Sequence, residues 1–199
     1  MDKKALFNLS YGLYLITTKS GEKANGCIVN TVTQITDTPT VIAVAVNKSN
    51  YTTELIANSG KFCVSVLSEK ATFDFFKRFG FHSGRDVDKF DSFPCDEFDG
   101  LPVANDFSNA YLSCKVINTV DFSTHVMFVA EVIDAVVTSD DKSCTYAYYH
   151  ANIKPKPQPE EKSKGWRCKI CGYVYEGETL PPDFICPWCK HPASDFEKI

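Results

Sequence analysis

No stretch of this 199-residue chain approaches the roughly 20 consecutive apolar residues that a bilayer-crossing helix needs, so no membrane partner is expected. The opening Met1-Asp2-Lys3-Lys4 is not followed by the apolar run and cleavage site of an export signal, which points to the cytoplasm. A basic surplus is also missing. Through Ile153, 13 Lys and Arg face 18 Asp and Glu, and beyond it 8 face 7, so the sequence offers no footprint for nucleic acid. There is no internal repeat. Residues 1–153 contain neither a G-x-G-x-x-G fingerprint nor a P-loop, which excludes the two commonest nucleotide cradles. Tryptophan is scarce as well, and both copies, Trp166 and Trp188, stand in the tail.

Cysteine is plentiful by contrast. There are nine, an odd number, in a chain expected in a reducing compartment, where thiols stay free, bind metal or catalyse rather than pair. Four of them follow a metal-ligand spacing. Cys168-Lys-Ile-Cys171 is separated by fourteen residues from Cys186-Pro-Trp-Cys189, and two such knuckles bring four sulfurs tetrahedrally onto one ion. Gly172 after one pair and Pro187 inside the other suit tight turns whose backbone N–H groups point at sulfur. By spacing alone a structural zinc ribbon and an iron site fit equally well. Cys27, Cys63, Cys95, Cys114 and Cys144 have no metal spacing, and those on strands read as small core residues.

The neighbours of the knuckles add a resemblance. Trp166, the run Cys171-Gly-Tyr-Val-Tyr-Glu-Gly177, Pro181, Pro182 and Cys186-Pro-Trp-Cys189 together resemble the rubredoxin family over residues 166–199. The likeness is to the compact form of rubrerythrin-type proteins, since free-standing rubredoxins space their cysteine pairs farther apart. It implies one iron held by four thiolates, with zinc as a substitute, and a one-electron site. Trp166, Trp188, Tyr173, Tyr175, Phe184 and Phe196 are expected to build the core of so small a domain.

Ahead of the tail, residues 154–165 alternate proline and then mix charges, a composition that predicts an extended linker and no core. The expected organisation is therefore a domain over 1–153, a linker over 154–165 and a metal domain over 166–199. Within the first, runs rich in Val, Ile, Phe and Tyr at 13–17, 27–35, 41–46, 62–67, 111–120 and 125–137 predict strands. Leu55 and Ile56 in 52–57, and Phe73, Phe75 and Phe76 in 70–79, predict two short helices. Many strands with few helices predict a mainly β fold, a barrel rather than an alternating α/β sheet.

The order of Asn25-Gly-Cys-Ile-Val-Asn-Thr-Val-Thr-Gln-Ile-Thr36, Asn47-Lys-Ser-Asn-Tyr-Thr52, Phe62-Cys-Val-Ser-Val-Leu67 and His125-Val-Met-Phe-Val-Ala-Glu-Val132 is similar to that of the flavin reductase family. That resemblance implies an FMN-binding split barrel, FMN held non-covalently at a homodimer interface, and NADH or NADPH as reductant. Asn30, Thr31 and Thr33, flanking Val32, offer amide and hydroxyl groups to a flavin edge and ribityl chain, or else form a solvated strand face. Lys48, Ser49 and Thr52 stand where a strand gives way to a helix, which suits a phosphate or a plain helix cap. Arg85 and Lys89 offer positive charge to the same phosphate, with Lys89 matching the family pattern better. His125 opens a strand where the family has a histidine near flavin and nicotinamide, which makes it the candidate catalytic residue. Tyr149 is a candidate flavin-edge aromatic, and His82, His150 and His191 are given no role.

A flavin accepts two electrons as hydride, whereas a tetrathiolate iron changes by one, so the two together read as a two-to-one converter. This domain order is similar to that of the high-molecular-weight rubredoxin family, which implies electron delivery to a flavodiiron-type protein that consumes nitric oxide or oxygen. Two alternatives stay open. One is a flavin reductase that releases reduced FMN and carries a structural zinc tail; the other is an electron carrier that does not react with nicotinamide.

Overall fold

The apolar runs of the front domain become seven antiparallel strands of one sheet. They are β1 (Tyr14–Ser20), β2 (Lys23–Val29), β3 (Val32–Thr36), β4 (Val41–Asn47), β5 (Lys61–Leu67), β8 (Ser108–Asp121) and β9 (His125–Val137), ordered β2-β1-β5-β8-β9-β4-β3. Two helices, α1 (Tyr51–Ser59) and α2 (Phe73–Gly80), and a small hairpin, β6 (Asp96–Phe98) with β7 (Leu101–Val103), complete the domain apart from short helical turns. The computed structural model describes residues 1–155 and 165–199, so most of the expected linker 154–165 lies outside the described residues. The chain divides into two units, Met1–Lys154 and Pro155–Ile199. No helix among the described residues is long and apolar enough to cross a membrane.

Why β5 reads as an almost unbroken apolar run is clear from its two faces. Phe62 and Val64 enter the barrel interior with Ile16, Val44, Val46 and Phe128. Cys63, on the other face, packs with Leu101, Val103 and Tyr111. A strand covered on both sides loses the alternation of a half-solvated one. Cys27, Cys63, Cys114 and Cys144 are buried, while Cys95 is exposed.

Composition joins 27–35 into one strand, but the structure breaks it at Asn30 and Thr31, where the chain leaves β2 and re-enters the sheet at its far edge as β3. The break puts polar residues at the mouth of the barrel. Phe75, Phe76 and Phe79 of α2 bury one helix face, and Thr72 caps the helix by accepting a hydrogen bond at Oγ1 from Phe75 N–H.

The second unit is a three-stranded sheet, β11 (Val174–Tyr175), β10 (Trp166–Cys168) and β12 (Phe196–Lys198), with the four cysteines at one end. Trp166, Tyr173, Tyr175, Phe184 and Phe196 pack around them as expected. Trp188 departs from the expectation. This residue of the second knuckle is 42% exposed, its ring lying T-shaped to Tyr173 at 5.4 Å.

Candidate metal centre and flavin site

Two structurally equivalent knuckles build the metal centre. In the first, Cys168 N–H donates to Tyr173 O and Gly172 N–H returns to Cys168 O, at 2.8 and 2.9 Å. The second repeats this with Cys186 to His191 and Lys190 to Cys186, again at 2.8 and 2.9 Å. Each turn needs a left-handed residue after its second cysteine, supplied by Gly172 (φ 81°) and Lys190 (φ 60°).

The sulfurs all lie within 4.8 Å of one another, with Cys168 to Cys189 at 3.5 Å and Cys171 to Cys186 at 3.4 Å. A tetrahedral thiolate site with bonds of about 2.3 Å has edges of about 3.8 Å, so this set fits one thiophilic ion. Hydrogen bonding, first with Cys189 and then with the backbone at Tyr173, holds the Cys171 thiol down to about 5. Burial pushes Cys186 up to about 11 despite bonds from the backbone of Cys189 and Trp188.

At the mouth of the barrel, the structure brings most of the expected flavin residues onto neighbouring elements. Thr31 Oγ1 donates to Ala45 O on β4 at 2.8 Å, which fixes the break between β2 and β3 beside that strand. Asn47 at the end of β4 pairs with His125 at the start of β9. Next to it, Lys48 N–H donates to Thr124 O at 3.0 Å, and the Lys48 ammonium pairs with Asp121. His125 Nδ1 shares a 2.8 Å hydrogen bond with Thr124 Oγ1. Asn30, Thr31, Lys48, Ser49 and His125 thus surround one end of β4. Val32 packs against the barrel core and Thr33 is exposed.

Asn47 was not singled out from the sequence, yet it organises the turn. Its Oδ1 accepts from Ser49 N–H and Ser49 Oγ, both at 2.9 Å, and its carbonyl accepts from Thr53 Oγ1 at 2.7 Å. The signal was the Asn-x-Ser pattern of an Asx turn ahead of a helix. Asn25 was missed too. Buried to 2%, it donates to Thr52 Oγ1 at 3.0 Å and so ties β2 to the first turn of α1. That use of Thr52 is a tether within the fold.

Asn50 precedes α1 without any side-chain capping bond. Thr53 N–H already donates to Asn50 O at 3.1 Å, whereas the N–H groups ahead of it, at Tyr51 and Thr52, have no partner within a helix and can meet an acceptor from outside. The donors around it fit an anion, and the hydroxyls of Ser49 and Thr31 with the Asn30 amide fit a polyhydroxylated chain.

Lys89 and Tyr149 do not join this group. The expectation of a phosphate-facing cation fails for Lys89 in this conformation, because its Nζ is drawn inward, donating to Gly26 O at 2.8 Å and Phe79 O at 3.0 Å. Burial lowers its pKa to about 8. Tyr149 is 8% exposed and packs 4.6 Å from Phe76 in the cluster under α2, an apolar seat.

Comparisons with known proteins bear on the family of each domain. Residues 6–156 match the Flavin reductase like domain family, and residues 166–197 match the rubrerythrin, rubredoxin-like domain family. The chain is 40% identical to a high molecular weight rubredoxin from Moorella thermoacetica, covering 100% of both chains. It is also 40% identical to a ferric-chelate reductase (NAD(P)H) from Archaeoglobus fulgidus, covering 78% of this chain and 93% of the relative. Among solved structures, flavoredoxin from Methanosarcina acetivorans superposes with a TM-score of 0.56 at 29% identity, covering 64% of this chain and 69% of that one.

Proposed function

The chain belongs to the flavin reductase-like family and ends in a rubredoxin-like domain of the rubrerythrin type, and from that premise we propose that it takes electrons from NADH or NADPH into FMN, passes them to a tetrathiolate iron and delivers them to a partner protein. The observation that carries this reading is the set of four sulfurs within 4.8 Å in a chain whose front domain has a flavin-binding fold. Bound FMN would supply the conversion of a hydride into single electrons, and iron a one-electron store.

The chain's own residues have separable tasks. Asn30, Thr31 and Thr33 hold the flavin edge and ribityl chain, while Lys48, Ser49 and the start of α1 take the phosphate. His125, on the neighbouring strand, donates a hydrogen bond toward the rings and orients the nicotinamide. Cys168, Cys171, Cys186 and Cys189 hold the metal, and the proline-rich residues 154–165 keep its local concentration near the flavin high. The 40% identity to the Archaeoglobus enzyme, which aligns over 93% of its length, supports a nicotinamide as donor to this domain. The Moorella relative, a high molecular weight rubredoxin matched over its whole length, supports electron transfer through the metal domain; a protein acceptor of flavodiiron type, in the cytoplasm, completes the proposal.

A homodimer belongs to the same reading. Ile35 on the edge strand β3, and Ile117 and Ile133 on the paired strands β8 and β9, are each the extra residue of a β-bulge, and each is more than half exposed. Such an apolar face calls for a second copy.

Stopped-flow mixing of anaerobic, iron- and FMN-loaded protein with NADH or NADPH tests the reading. Bleaching of the ferric tetrathiolate absorption within a turnover supports it. Flavin reduction without iron bleaching would move the protein to the class of reductases that release reduced flavin, and equimolar zinc in protein made with ample iron would do the same. No reaction with either nicotinamide would leave a carrier loaded by another enzyme.

A further inference from the structure

His125 is held from two sides. Its place on β9 is fixed by pairing with Asn47 at the end of β4, and Phe122 N–H donates to His125 O at 2.9 Å, which closes the turn between β8 and β9. Within that turn Thr124 is pinned through its own backbone, because its carbonyl accepts from Lys48 N–H at 3.0 Å. A β-branched side chain on a fixed backbone has few rotamers, so the Thr124 hydroxyl is set in place before any ligand arrives. That hydroxyl lies 2.8 Å from His125 Nδ1.

The bond can run either way, and its direction decides what the ring offers. A neutral imidazole donates through one nitrogen and accepts through the other. With the proton on Nδ1 and given to Thr124, Nε2 presents a lone pair; with Thr124 as donor, Nε2 carries the proton. The surroundings favour the second. Among the described residues, Nδ1 is the only hydrogen-bond partner of the Thr124 hydroxyl, and Nε2 has none, which leaves it for a ligand. Asp121, the carboxylate at the base of the same turn, is taken by the Lys48 ammonium, so no anion competes with Thr124 for Nδ1.

Resting on the reading that His125 donates toward the flavin and nicotinamide rings, we propose that Thr124 is a positioning residue: its hydroxyl donates to Nδ1 and so fixes the proton of the neutral ring on Nε2. The carbonyl oxygens of an isoalloxazine edge and of a carboxamide only accept, so the opposite tautomer would set lone pair against lone pair. A hydroxyl makes this selection without charge, whereas a carboxylate in its place would favour the imidazolium. Thr124 thereby keeps a neutral donor at the mouth of the barrel.

Full-length protein loaded with iron and FMN, and labelled for nitrogen NMR, tests this. At pH about 8, where imidazole is neutral, the ring resonances of His125, identified by their loss in His125→Gln, should show the proton on Nε2. Thr124→Val keeps the branched shape and removes the hydroxyl. It should release the ring into a mixture of tautomers and slow flavin reduction at saturating nicotinamide about fivefold, the scale of one hydrogen bond. Thr124→Ser should restore both, with FMN affinity unchanged in either variant. A wild type with its proton on Nδ1, or a Thr124→Val protein whose ring is unaltered, overturns the assignment whatever the kinetics show. An altered ring with an unaltered rate overturns the positioning role. Should His125→Gln be reduced as fast as the wild type, the reading of His125 itself fails, and that result is independent of the spectrum.

Discussion

Lys89 shows what a single buried charge does to this fold. Its ammonium sits in a site 4% exposed, bonded to Gly26 O and to Phe79 O in the last turn of α2, where it also meets the negative end of the helix. Burial holds its pKa at about 8, below the ordinary 10.5. Between those two values the unfolded chain binds more protons than the folded one, so this residue's contribution to stability rises with pH across the window; below pH 8 its full penalty is present. Against Lys89→Met, the wild type should therefore gain on the order of 3 kcal/mol from pH 8 to 10.5 in urea titrations followed by far-UV circular dichroism. A difference independent of pH would show that the ammonium is not desolvated. Lys190 poses the opposite case, an ordinary residue at φ 60° where the equivalent position in the other knuckle has Gly172. Lys190→Gly should stabilise the metal domain by about 1 kcal/mol, read as a higher midpoint of its thermal transition, and Gly172→Ala should lower it.

At the scale of elements, the strands follow from composition, while their bulges do not. The runs at 41–46 and 125–137 mark β4 (Val41–Asn47) and β9 (His125–Val137) closely. The hairpin β6 and β7 was not legible, because strands of three residues carry no periodicity. Nor was the division of 27–35 at Asn30, since strand-favouring Thr31, Val32 and Thr33 follow the break directly. Ile35, Ile117 and Ile133 look like core residues in one dimension, and the bulges turn them outward. Replacing Ile117 and Ile133 together by Lys should convert a dimer to a monomer in sedimentation experiments with little loss of barrel stability. A monomeric wild type would remove the basis for that interface.

Over the whole molecule, the two units report separately, because both tryptophans lie in the second. A domain of this size has a small core, four of whose buried or partly buried members are the metal-binding cysteines. Stripping the metal with a chelator, or replacing Cys186 by Ser, should unfold it, shifting tryptophan fluorescence to the red. The far-UV signal of the barrel and its flavin binding should persist. Loss of the barrel signal in parallel would show that the two units do not fold independently.

The metal centre was legible in the sequence because its ligands are local: two C-x-x-C turns carry their own geometry, and the sheet only has to bring one knuckle to the other. The mainly β fold was legible for the same reason, as strand propensity and burial are written residue by residue. The candidate flavin site stood in the sequence only as a list of polar residues near Asn30 and Lys48. Which of them share one end of β4, and which cation stands over α1, depended on contacts between residues far apart in the chain. Lys89 and Arg85 are four positions apart on one loop, and nothing in their neighbours says which turns inward. Two backbone carbonyls left open by β2 and α2 captured Lys89, and the close passage of Gly84 over Asn25 left Arg85 at the helix start, donating to Ser49 O and Glu54 Oε2. Tertiary packing made that choice, because the acceptors a charged side chain must find once it is desolvated exist only after the chain has folded.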